Sequence, residues 1–363
     1  MNMIHGRVGL QQRILPEYRT EFFDILATAC LQGLSVFAGD PCRDEAVETA
    51  ENLAIANYTR GRNLHFFSGG AYFYWQAGIL RWLRRWQPRA LIVEINLRNR
   101  SNPLAIRWMK ARGRPVIGWG LGIPAKGFLS GHFHRSLLRS FDAVIAYSNT
   151  AARQYMDAGV NPARVFVAAN AVSRRPESSA IIRPPAFNNG TPELLFVGRL
   201  QARKRVDTLL RALASLPAEK QPRLVVVGDG PDRGRLERLS WEIYPRTIFP
   251  GAKHGVELEP YYNDADLFIL PGTGGLAVQQ AMAHSLPVIV GAADGTQGEL
   301  VRSDNGWILP DDSPQTLAGV IEVALADVTR LRQKGLASHR IVTDEINLET
   351  MVKTFTMAVE SVL

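Results

Sequence analysis

Two cationic side chains five positions apart, Arg199 and Lys204, stand between an apolar run, ELLFV, and a helical pattern, VDTLLRALASL. Arginine offers a planar fork of donors, lysine offers a point charge, and a helix N-terminus adds a positive dipole, a combination that suits a diphosphate. The alternative is that Arg203, Lys204 and Arg205 form a solvated basic loop. The spacing indicates a phosphate site. The neighbouring residues must decide between this interpretation and the solvated loop.

A glycine-rich turn lies in the segment PGTGGLAVQQAMAHSLPVIVG, residues 271–291. An apolar run gives way to Gly272, Gly274 and Gly275 and then directly to an amphipathic helical pattern. Glycines let the backbone approach a ligand closely, and the amides that open a helix can donate to phosphate oxygens. The turn predicts a cradle for an anion and a sugar. The alternative is an ordinary strand-to-helix turn.

Short apolar runs alternate with longer helical patterns through both halves of the chain. The runs are rich in β-branched and aromatic residues and end in turn-forming residues, which suits strands of a buried parallel sheet. They are LSVFAG, ALIVEIN, PVIGWG, DAVIAYS and RVFVAAN, then ELLFVGR, LVVVGDG, TIFPGA, DLFILPG and PVIVGA. We predict an α/β protein with two doubly wound, Rossmann-like domains facing across a cleft, and ligands beyond the carboxyl ends of the strands.

The length of 363 residues exceeds what one hydrophobic core ordinarily fills. Residues 174–192 are rich in Pro, Asn, Ser and Gly without periodicity, and we predict that they form a linker. The predicted domains are residues 1–173 and 193–345. We expect a helix within residues 346–363 to pack back on the first domain.

The net charge of +8 belongs to the first half, because residues 1–173 hold 21 Lys and Arg against 11 Asp and Glu. The stretch AGILRWLRRWQPR at 77–89 could form a helix on an anionic membrane surface. Alternatively, its Trp and Leu pack into the core below a solvated basic face. A nucleic-acid partner is not expected, since no zinc-finger or RNP motif accompanies the charge.

Cysteine usage and hydropathy restrict the class of protein further. Two cysteines, Cys30 and Cys42, do not support a disulfide framework or a cysteine zinc site. No apolar run reaches the roughly 18 residues that a membrane span needs, and the first residues lack a signal-peptide core. We expect a cytoplasmic protein, with a peripheral position at the inner membrane face as the alternative.

Four blocks in order carry a family resemblance: FVGRLQARKRVDTLLRAL, LVVVGDGPDRGRLERL, ELEPYYNDADLFILPG and GLAVQQAMAHSLPVI. Together they resemble the nucleotide-sugar domain of the GT4-type (group 1), retaining GT-B glycosyltransferases, and the resemblance extends over roughly residues 142–361. It implies that residues 193–345 bind a nucleotide-sugar and residues 1–173 bind the acceptor. It also implies that Arg199 and Lys204 contact the donor diphosphate beside Gly198 and act as the catalytic pair.

The resemblance also implies contacts to the rest of the donor. The turn of Gly272, Thr273, Gly274, Gly275 and Leu276 would close over the sugar and the phosphates. The loop PGAKHG would hold the base, which makes Ala252 and Lys253 candidate base contacts.

The chain departs from the family at the paired glutamates spaced Glu-x7-Glu, because Gly272 and Gln280 stand at those positions. The Gln280 amide can still bond a ribose hydroxyl, whereas Gly272 offers no side chain. Glu299, with Asp294 and Gln297 in the same loop, could replace the lost carboxylates. Surface solvation is the alternative for all three.

The first domain offers candidate acceptor contacts at predicted strand ends. They are Arg13, Tyr18, Arg19, Asn96, Trp119 and Gly120. His132 and His134 are more typical of surface residues or a phosphate contact than of metal ligands. We predict no metal site.

The function that these residues predict is transfer of a hexose from a UDP- or GDP-sugar to a glycan or lipid-linked glycan, in polysaccharide or lipopolysaccharide biosynthesis. Arg199, Lys204 and the amides of Gly274 and Gly275 would stabilise charge on the departing diphosphate. The resemblance implies retention of configuration, no cofactor beyond the donor and no obligatory metal. A nucleotide-sugar-binding protein without catalysis is the alternative. An NAD oxidoreductase is disfavoured, because the dinucleotide fingerprint is missing.

Overall fold

The computed structural model describes residues 3–42, 48–123, 135–292 and 297–363. The chain forms two compact units. The first unit comprises Met1–Val172 and Leu348–Leu363, and the second comprises Ser173–Asn347. The chain therefore leaves the first unit once and returns to it with its last helix.

The first unit contains a seven-stranded parallel sheet in the order β3-β2-β1-β6-β7-β8-β9 and a separate antiparallel hairpin of β4 and β5. Its strands are β1 (Val8–Ile14), β2 (Leu34–Gly39), β3 (Asn57–Arg60), β4 (Arg62–Phe66), β5 (Phe73–Ala77), β6 (Ala90–Glu94), β7 (Val116–Gly120), β8 (Ala143–Ala146) and β9 (Val165–Val167). The five runs predicted from this half are confirmed as β2 and β6 to β9. The hairpin and β3 were not predicted.

Helices cover the faces of this sheet. They are α1 (Thr20–Thr28), α2 (Ile79–Trp86), α3 (Asn102–Lys110), α4 (Asn149–Asp157) and, from the end of the chain, α12 (Leu348–Glu360). The last helix packs on α1, where the rings of Phe22 and Phe355 lie edge to face with centroids 4.9 Å apart. Aromatic burial thus fixes the end of the chain to the first unit.

The basic helix α2 packs its apolar side into the core. Trp82 and Leu83 are buried, and the Trp82 indole donates to Ser35 Oγ at 2.9 Å and stacks on Phe37. The arginines of α2 are exposed. Of the two interpretations offered by the sequence, core packing below a solvated basic face describes this helix, which leaves no apolar face on α2 for a membrane.

The second unit contains a six-stranded parallel sheet in the order β12-β11-β10-β13-β14-β15. The strands are β10 (Glu193–Val197), β11 (Arg223–Val227), β12 (Thr247–Gly251), β13 (Leu267–Leu270), β14 (Val288–Gly291) and β15 (Gly306–Leu309). The helices are α5 (Val206–Ala214), α6 (Arg233–Ile243), α7 (Glu259–Asp264), α8 (Leu276–Ala283), α9 (Gln297–Leu300), α10 (Pro314–Ala326) and α11 (Val328–Asp344). The predicted strands of this half are confirmed, and only the edge strand β15 was missed.

This strand order is that of a doubly wound fold. The order of the strands reverses between β10 and β13, which pair through Leu194 with Leu267 and Leu195 with Phe268. Ligands of such sheets bind beyond the carboxyl ends of the strands at this switch point.

Residues 174–192, predicted to be a linker, belong to the second unit and are fastened to it by arginines. Arg183 donates to the backbone oxygens of Tyr262, Ala265, His284 and Ser285 at 2.7 to 2.9 Å. Arg332 donates to the carbonyl of Pro184 at 2.8 Å and to Asp266 Oδ1 at 2.7 Å. Burial, followed by the nearby Arg332 cation, lowers the pKa of the Arg183 guanidinium to about 10, which still leaves it charged at neutral pH.

We expect Arg183→Met to lower the thermal midpoint of unfolding. The variant keeps an apolar stem of similar length but leaves four buried carbonyls without their donor, at a cost of about 2 to 4 kcal/mol. The matched control is Arg211→Met on α5, at an exposed position, which should leave the midpoint unchanged. Equal thermal midpoints for the Arg183 and Arg211 variants would contradict the conclusion that Arg183 holds residues 174–192 against the second unit.

Candidate functional site

The cationic loop and the glycine-rich turn both follow strands that end at the same edge of the second sheet. Residues 198–205 follow β10, and residues 271–275 follow β13. Because these strands are adjacent and parallel, their carboxyl ends lie side by side at the switch point. The fold therefore brings together the cationic loop and the glycine-rich turn.

The two loops touch through their backbones. The Thr273 N–H donates to the Arg203 carbonyl at 3.1 Å, and Arg203 Nη1 donates to Thr273 Oγ1 at 3.1 Å. A Cβ placed on Gly272 would lie 2.1 Å from the Arg203 oxygen and 2.6 Å from Lys204 Cα. The position that carries a glutamate in the family therefore has no room for any side chain.

Lys204 reaches the glycine-rich turn with its charged end. Gly274 has a φ of +137°, and a Cβ there would lie 2.3 Å from Lys204 Nζ. The backbone conformation favours glycine at this position, and the ammonium group of Lys204 occupies the space beside it. The structure thus places the lysine charge directly against the turn that was predicted to cradle an anion.

A third loop, the GDG segment after β11, braces the cationic loop from the other side. The N–H groups of Gly198 and Leu200 donate to the carbonyls of Val227 and Asp229 at 3.0 and 2.8 Å. A Cβ on Gly228 would lie 2.0 Å from the Gly198 oxygen. Backbone contacts on both sides therefore hold this loop, with Arg199 exposed and Lys204 half-buried.

The helix α8 adds the positive end of its dipole to these two cations. Gly275 is its N-cap residue and Leu276 its first residue, and the cap supplies no side-chain hydrogen bond. The first turn contains no acidic residue. The amides of this turn can donate to an anion, so lysine, arginine and helix terminus together suit a diphosphate.

Gln297 fixes the carbonyl of the glycine-rich turn. Its Nε2 donates to the Gly274 oxygen at 2.9 Å, and the side chain is 1% exposed. Its Oε1 has no hydrogen-bond partner within the part of the chain that the structure describes. Glu299 is half-buried on α9, and its contact with a sugar stays a prediction, whereas Asp294 lies outside the described residues.

Gln280 lies at a pocket of about 590 Å³ in the second unit. Its Oε1 accepts a hydrogen bond from the Tyr262 hydroxyl at 3.3 Å, and the Tyr262 ring stacks on His284 at 5.0 Å. Burial lowers the pKa of His284, which favours its neutral form. The pocket is lined by Ser173, Arg174, Arg175, Pro176, Ser178, Ile181, Gly255, Leu258, Glu259, Tyr262, Asn263, Gln280, Ala283 and His284.

The predicted base contacts, Ala252 and Lys253, come shortly before Gly255, one of the residues that line this pocket. Ala252 is exposed, and Lys253 Nζ lies 3.8 Å from Glu257 Oε1. Gly255, two residues further on, lines the pocket itself. The base contacts of Ala252 and Lys253 and the ribose contact of Gln280 stay predictions.

In the first unit, two of the predicted acceptor residues meet at the switch point between β1 and β6. The Arg13 N–H donates to Glu94 Oε2 at 3.0 Å, and Asn96 Nδ2 donates to Glu94 Oε1 at 3.1 Å. Tyr18 is exposed nearby in the chain, just before α1. Contact of these residues with an acceptor stays a prediction.

The remaining acceptor candidates are buried in the first unit. Trp119 is 1% exposed and Arg19 is 4% exposed. The guanidinium of Arg19 lies 5.0 Å from the Trp119 ring centroid and donates to the Tyr147 hydroxyl at 3.2 Å. A Cβ on Gly120 would lie 2.7 Å from the Tyr155 oxygen. These three residues take part in the packing of the first unit, and their contact with an acceptor stays a prediction.

Sequence reasoning missed the contacts that hold the site together. The bracing glycines of the GDG loop, the pairing of Arg203 with Thr273 and the anchor from Gln297 were not assigned these roles. A signal was present only for the first, because a Gly-x-Gly after a buried strand marks close backbone approach. His132 and His134 lie outside the described residues.

The described ranges contain neither a metal-binding cluster nor a helix that could span a membrane. No group of three or more His, Cys, Asp or Glu side chains there could hold a metal ion. None of the helices in these ranges has the length and apolar character that a membrane span requires.

We expect Gly272→Ala to destabilise the protein by about 1 to 3 kcal/mol, because its Cβ would overlap the Arg203 backbone and force the two loops apart. Gly272→Glu should be at least as damaging, although it restores the residue type of the family. Thermal unfolding measures both. Gly319→Ala in α10, where a Cβ meets nothing within 4 Å, is the control and should be neutral or stabilising.

If the midpoints of the Gly272 variants matched that of the Gly319 control, the close approach of the two loops would be disproved.

Comparison with known proteins connects this site to a family. A family model described as "Glycosyl transferases group 1" matches residues 177–335. Over 201 residues the chain is 32% identical to a GDP-mannose-dependent alpha-mannosyltransferase of Mycobacterium tuberculosis, covering 54% of this chain and 51% of that protein. It is 27% identical over 239 residues to WcaL of Salmonella typhimurium, named for colanic acid biosynthesis, covering 61% and 57%. The chain thus spans about half the length of these relatives.

Solved structures resemble the chain over nearly its full length. The lipopolysaccharide outer core galactosyltransferase WaaB superposes with a TM-score of 0.70 at 18% identity, covering 98% of this chain and all of that one. Anabaena HepE in complex with UDP gives 0.73 at 16% identity with the same coverage. At these identities the likeness establishes the fold. Residues 177–335 therefore match the group 1 glycosyl transferases, and the chain has the GT-B fold of these solved glycosyltransferases.

Proposed function

We propose that this protein transfers a hexose from a nucleoside-diphosphate sugar to an acceptor hydroxyl. The observation that carries the proposal is the contact of the Lys204 ammonium group with the turn at Gly274, at the switch point of the second sheet. Arg199 belongs to the same braced loop. The family match over residues 177–335 supports this use of the site.

Cleavage of the bond between sugar and diphosphate leaves negative charge on the departing group. Arg199 and Lys204, on a loop held by backbone hydrogen bonds, and the first amides of α8 would donate to such a charge as it develops. An enzyme nucleophile is not required by this mechanism. We propose that retention of anomeric configuration accompanies it, as in the family that the sequence resembles, and that no divalent cation is obligatory.

The sugar must be recognised without the glutamate that the family uses. Gly272 offers no side chain and no space for one, so the proposal assigns sugar contacts to the backbone of the turn and to the α9 region. Gln297, which anchors the Gly274 carbonyl, and Glu299, two positions later on α9, are the candidates there. Gln280 is proposed to bond the ribose from its position at the 590 Å³ pocket.

For the base, the relatives support both options that the sequence left open. A GDP-mannose-dependent enzyme and a UDP-bound protein are among the proteins to which the chain is similar. We therefore propose a UDP- or GDP-sugar as the donor. A thermal-shift screen against nucleotide-sugars would distinguish the two.

For the acceptor, we propose a glycan or lipid-linked glycan of cell-surface polysaccharide or lipopolysaccharide biosynthesis, with the protein peripheral at the inner membrane face. The names of WcaL and WaaB support this class. The basic first half of the chain supports a site near anionic lipid.

The donor site is tested with Lys204→Met and Arg199→Met. Wild-type protein is screened against UDP-, GDP- and dTDP-sugars by thermal shift, and donor hydrolysis is followed by release of nucleotide. We expect stabilisation by one nucleotide, with kcat lowered about 10²- to 10³-fold in each variant, as for loss of one charge-stabilising donor. The matched controls are Lys220→Met and Arg211→Met, at exposed positions of the second unit.

The outcomes separate the two candidate functions. Binding without turnover, also with lipid-linked acceptors present, would support the non-catalytic alternative. Failure of every nucleotide-sugar to stabilise the wild-type protein would overturn the proposal.

The stereochemical course and metal independence are tested on the product. We expect the product to keep the anomeric configuration of the donor, as determined from the anomeric proton coupling in NMR. The rate should be unchanged by EDTA, because Arg199, Lys204 and the helix terminus supply the positive charge. An inverted product would refute the retaining assignment, and loss of rate in EDTA restored by Mg²⁺ would refute metal independence.

A further inference from the structure

The antiparallel hairpin of β4 and β5 stands apart from the main sheet of the first unit, with a firmly held base. Asn63 Nδ2 donates to the carbonyls of Arg13 and Asp40 at 2.8 and 2.7 Å. Gln76 is fully buried and donates to the Gln12 carbonyl at 2.9 Å, while Asn99 donates to its oxygen at 3.1 Å. The base of the hairpin is therefore fixed to the body of the unit, whereas residues 66–71 are exposed.

The tip of the hairpin, residues 66–73, presents an aromatic cluster to solvent. Phe66 is 41% exposed and Phe67 is 75% exposed. Both rings lie close to Phe73, with centroids at 5.1 and 5.8 Å. The backbone of Phe67 has a φ of 58°, which is costly for a residue with a large side chain. Phe67 thus combines a strained backbone conformation with an exposed aromatic side chain. Backbone strain of this kind is typical of functional segments.

Arginines surround this cluster. The guanidinium groups of Arg98 and Arg100 lie 5.7 and 5.6 Å from the rings of Tyr72 and Phe73, and both arginine side chains are exposed. Residues 61–141 contain 14 lysines and arginines and a single carboxylate, Glu94. That carboxylate accepts hydrogen bonds from Arg13 and Asn96.

We propose that the hairpin tip inserts shallowly into an anionic lipid surface. Phe66 and Phe67 enter the boundary between headgroups and acyl chains, while Arg98 and Arg100 contact the headgroup phosphates. Aromatic rings flanked by cations are the composition that binds such a boundary. This inference rests on the peripheral position given under the proposed function, and it supplies the membrane-contacting element that α2, with its apolar side buried, does not.

A lipid surface matches both the apolar and the cationic side chains of the tip. Shallow insertion gains from burial of both rings and from every nearby cation at once, so binding should depend on the apolar residues and on the anionic lipid together.

The test is cosedimentation of the full chain with vesicles of phosphatidylcholine containing 25% phosphatidylglycerol, and with vesicles of phosphatidylcholine alone. We expect binding to the anionic vesicles that weakens in 0.5 M NaCl, and little binding to the neutral ones. Phe66→Ser with Phe67→Ser should lower the partition coefficient at least about tenfold. Arg98→Gln with Arg100→Gln should lower it on anionic vesicles and reduce its salt dependence.

Matched controls come from the same unit. Leu31→Ser with Ile55→Ser removes two apolar side chains that are exposed elsewhere on the unit, and Arg81→Gln with Arg84→Gln removes two exposed cations of α2. Thermal midpoints and the donor-induced thermal shift are measured for every variant. The hairpin belongs to the first unit and the donor-site residues belong to the second, so we expect the hairpin variants to keep the donor-induced shift. A failure of the membrane proposal is therefore distinguishable from a failure of the donor site.

The proposal is overturned if wild-type protein stays in the supernatant with anionic vesicles at low salt. It is also overturned if the Phe66 and Phe67 variant binds like wild type, or if either control pair weakens binding as much as its hairpin counterpart. If the phenylalanine variant lowers the thermal midpoint, the arginine pair at the tip, compared with the arginine pair on α2, decides the outcome.

Discussion

The close approach of backbone to backbone at the carboxyl edge of the second sheet is the constraint on which the candidate site depends. The loop after β10 is held between the GDG segment after β11 and the turn after β13. At Gly228 and Gly272, a single added carbon would overlap a carbonyl oxygen of the neighbouring loop. Glycine is required there by space, and the cations of the middle loop are positioned as a result.

This constraint gives a physical reason for the chain's departure from its family. The position of the first family glutamate is occupied by Gly272 because the backbone of Arg203 and Lys204 fills the space beside it. With Gln280 at the second position, the site carries two fewer negative charges than the family pattern. The potential around Lys204 is accordingly more positive, which favours a diphosphate while shifting sugar recognition to other groups.

Arginine acts in three physically different ways in this protein. Arg183 satisfies backbone carbonyls and fastens a polar segment to the second unit. Arg19 is buried among aromatic rings in the first unit. In the contacts described, its guanidinium makes cation–π contacts with Trp119 and Tyr147 instead of an ion pair with a carboxylate. The guanidinium groups of Arg98 and Arg100 lie over the partly buried rings of Tyr72 and Phe73 in the hairpin. Only the surroundings distinguish these roles, since the side chain is the same.

The sequence by itself determined the alternation of strands and helices, and through it the class of fold, because strands of a buried parallel sheet are continuous apolar runs that local composition reveals. It also identified Arg199, Lys204 and the glycine-rich turn, whose spacing is local. The sequence analysis did not predict the half-exposed hairpin or the edge strand β15, because neither is buried on both faces. Only the tertiary structure decided that Trp119 lies in the core, since its neighbours Phe22 and Phe355 are remote in the chain. The absence of space at Gly272 was hidden for the same reason: the backbone that fills it belongs to residues about 70 positions away, and non-local packing of this kind leaves no periodic mark in the sequence.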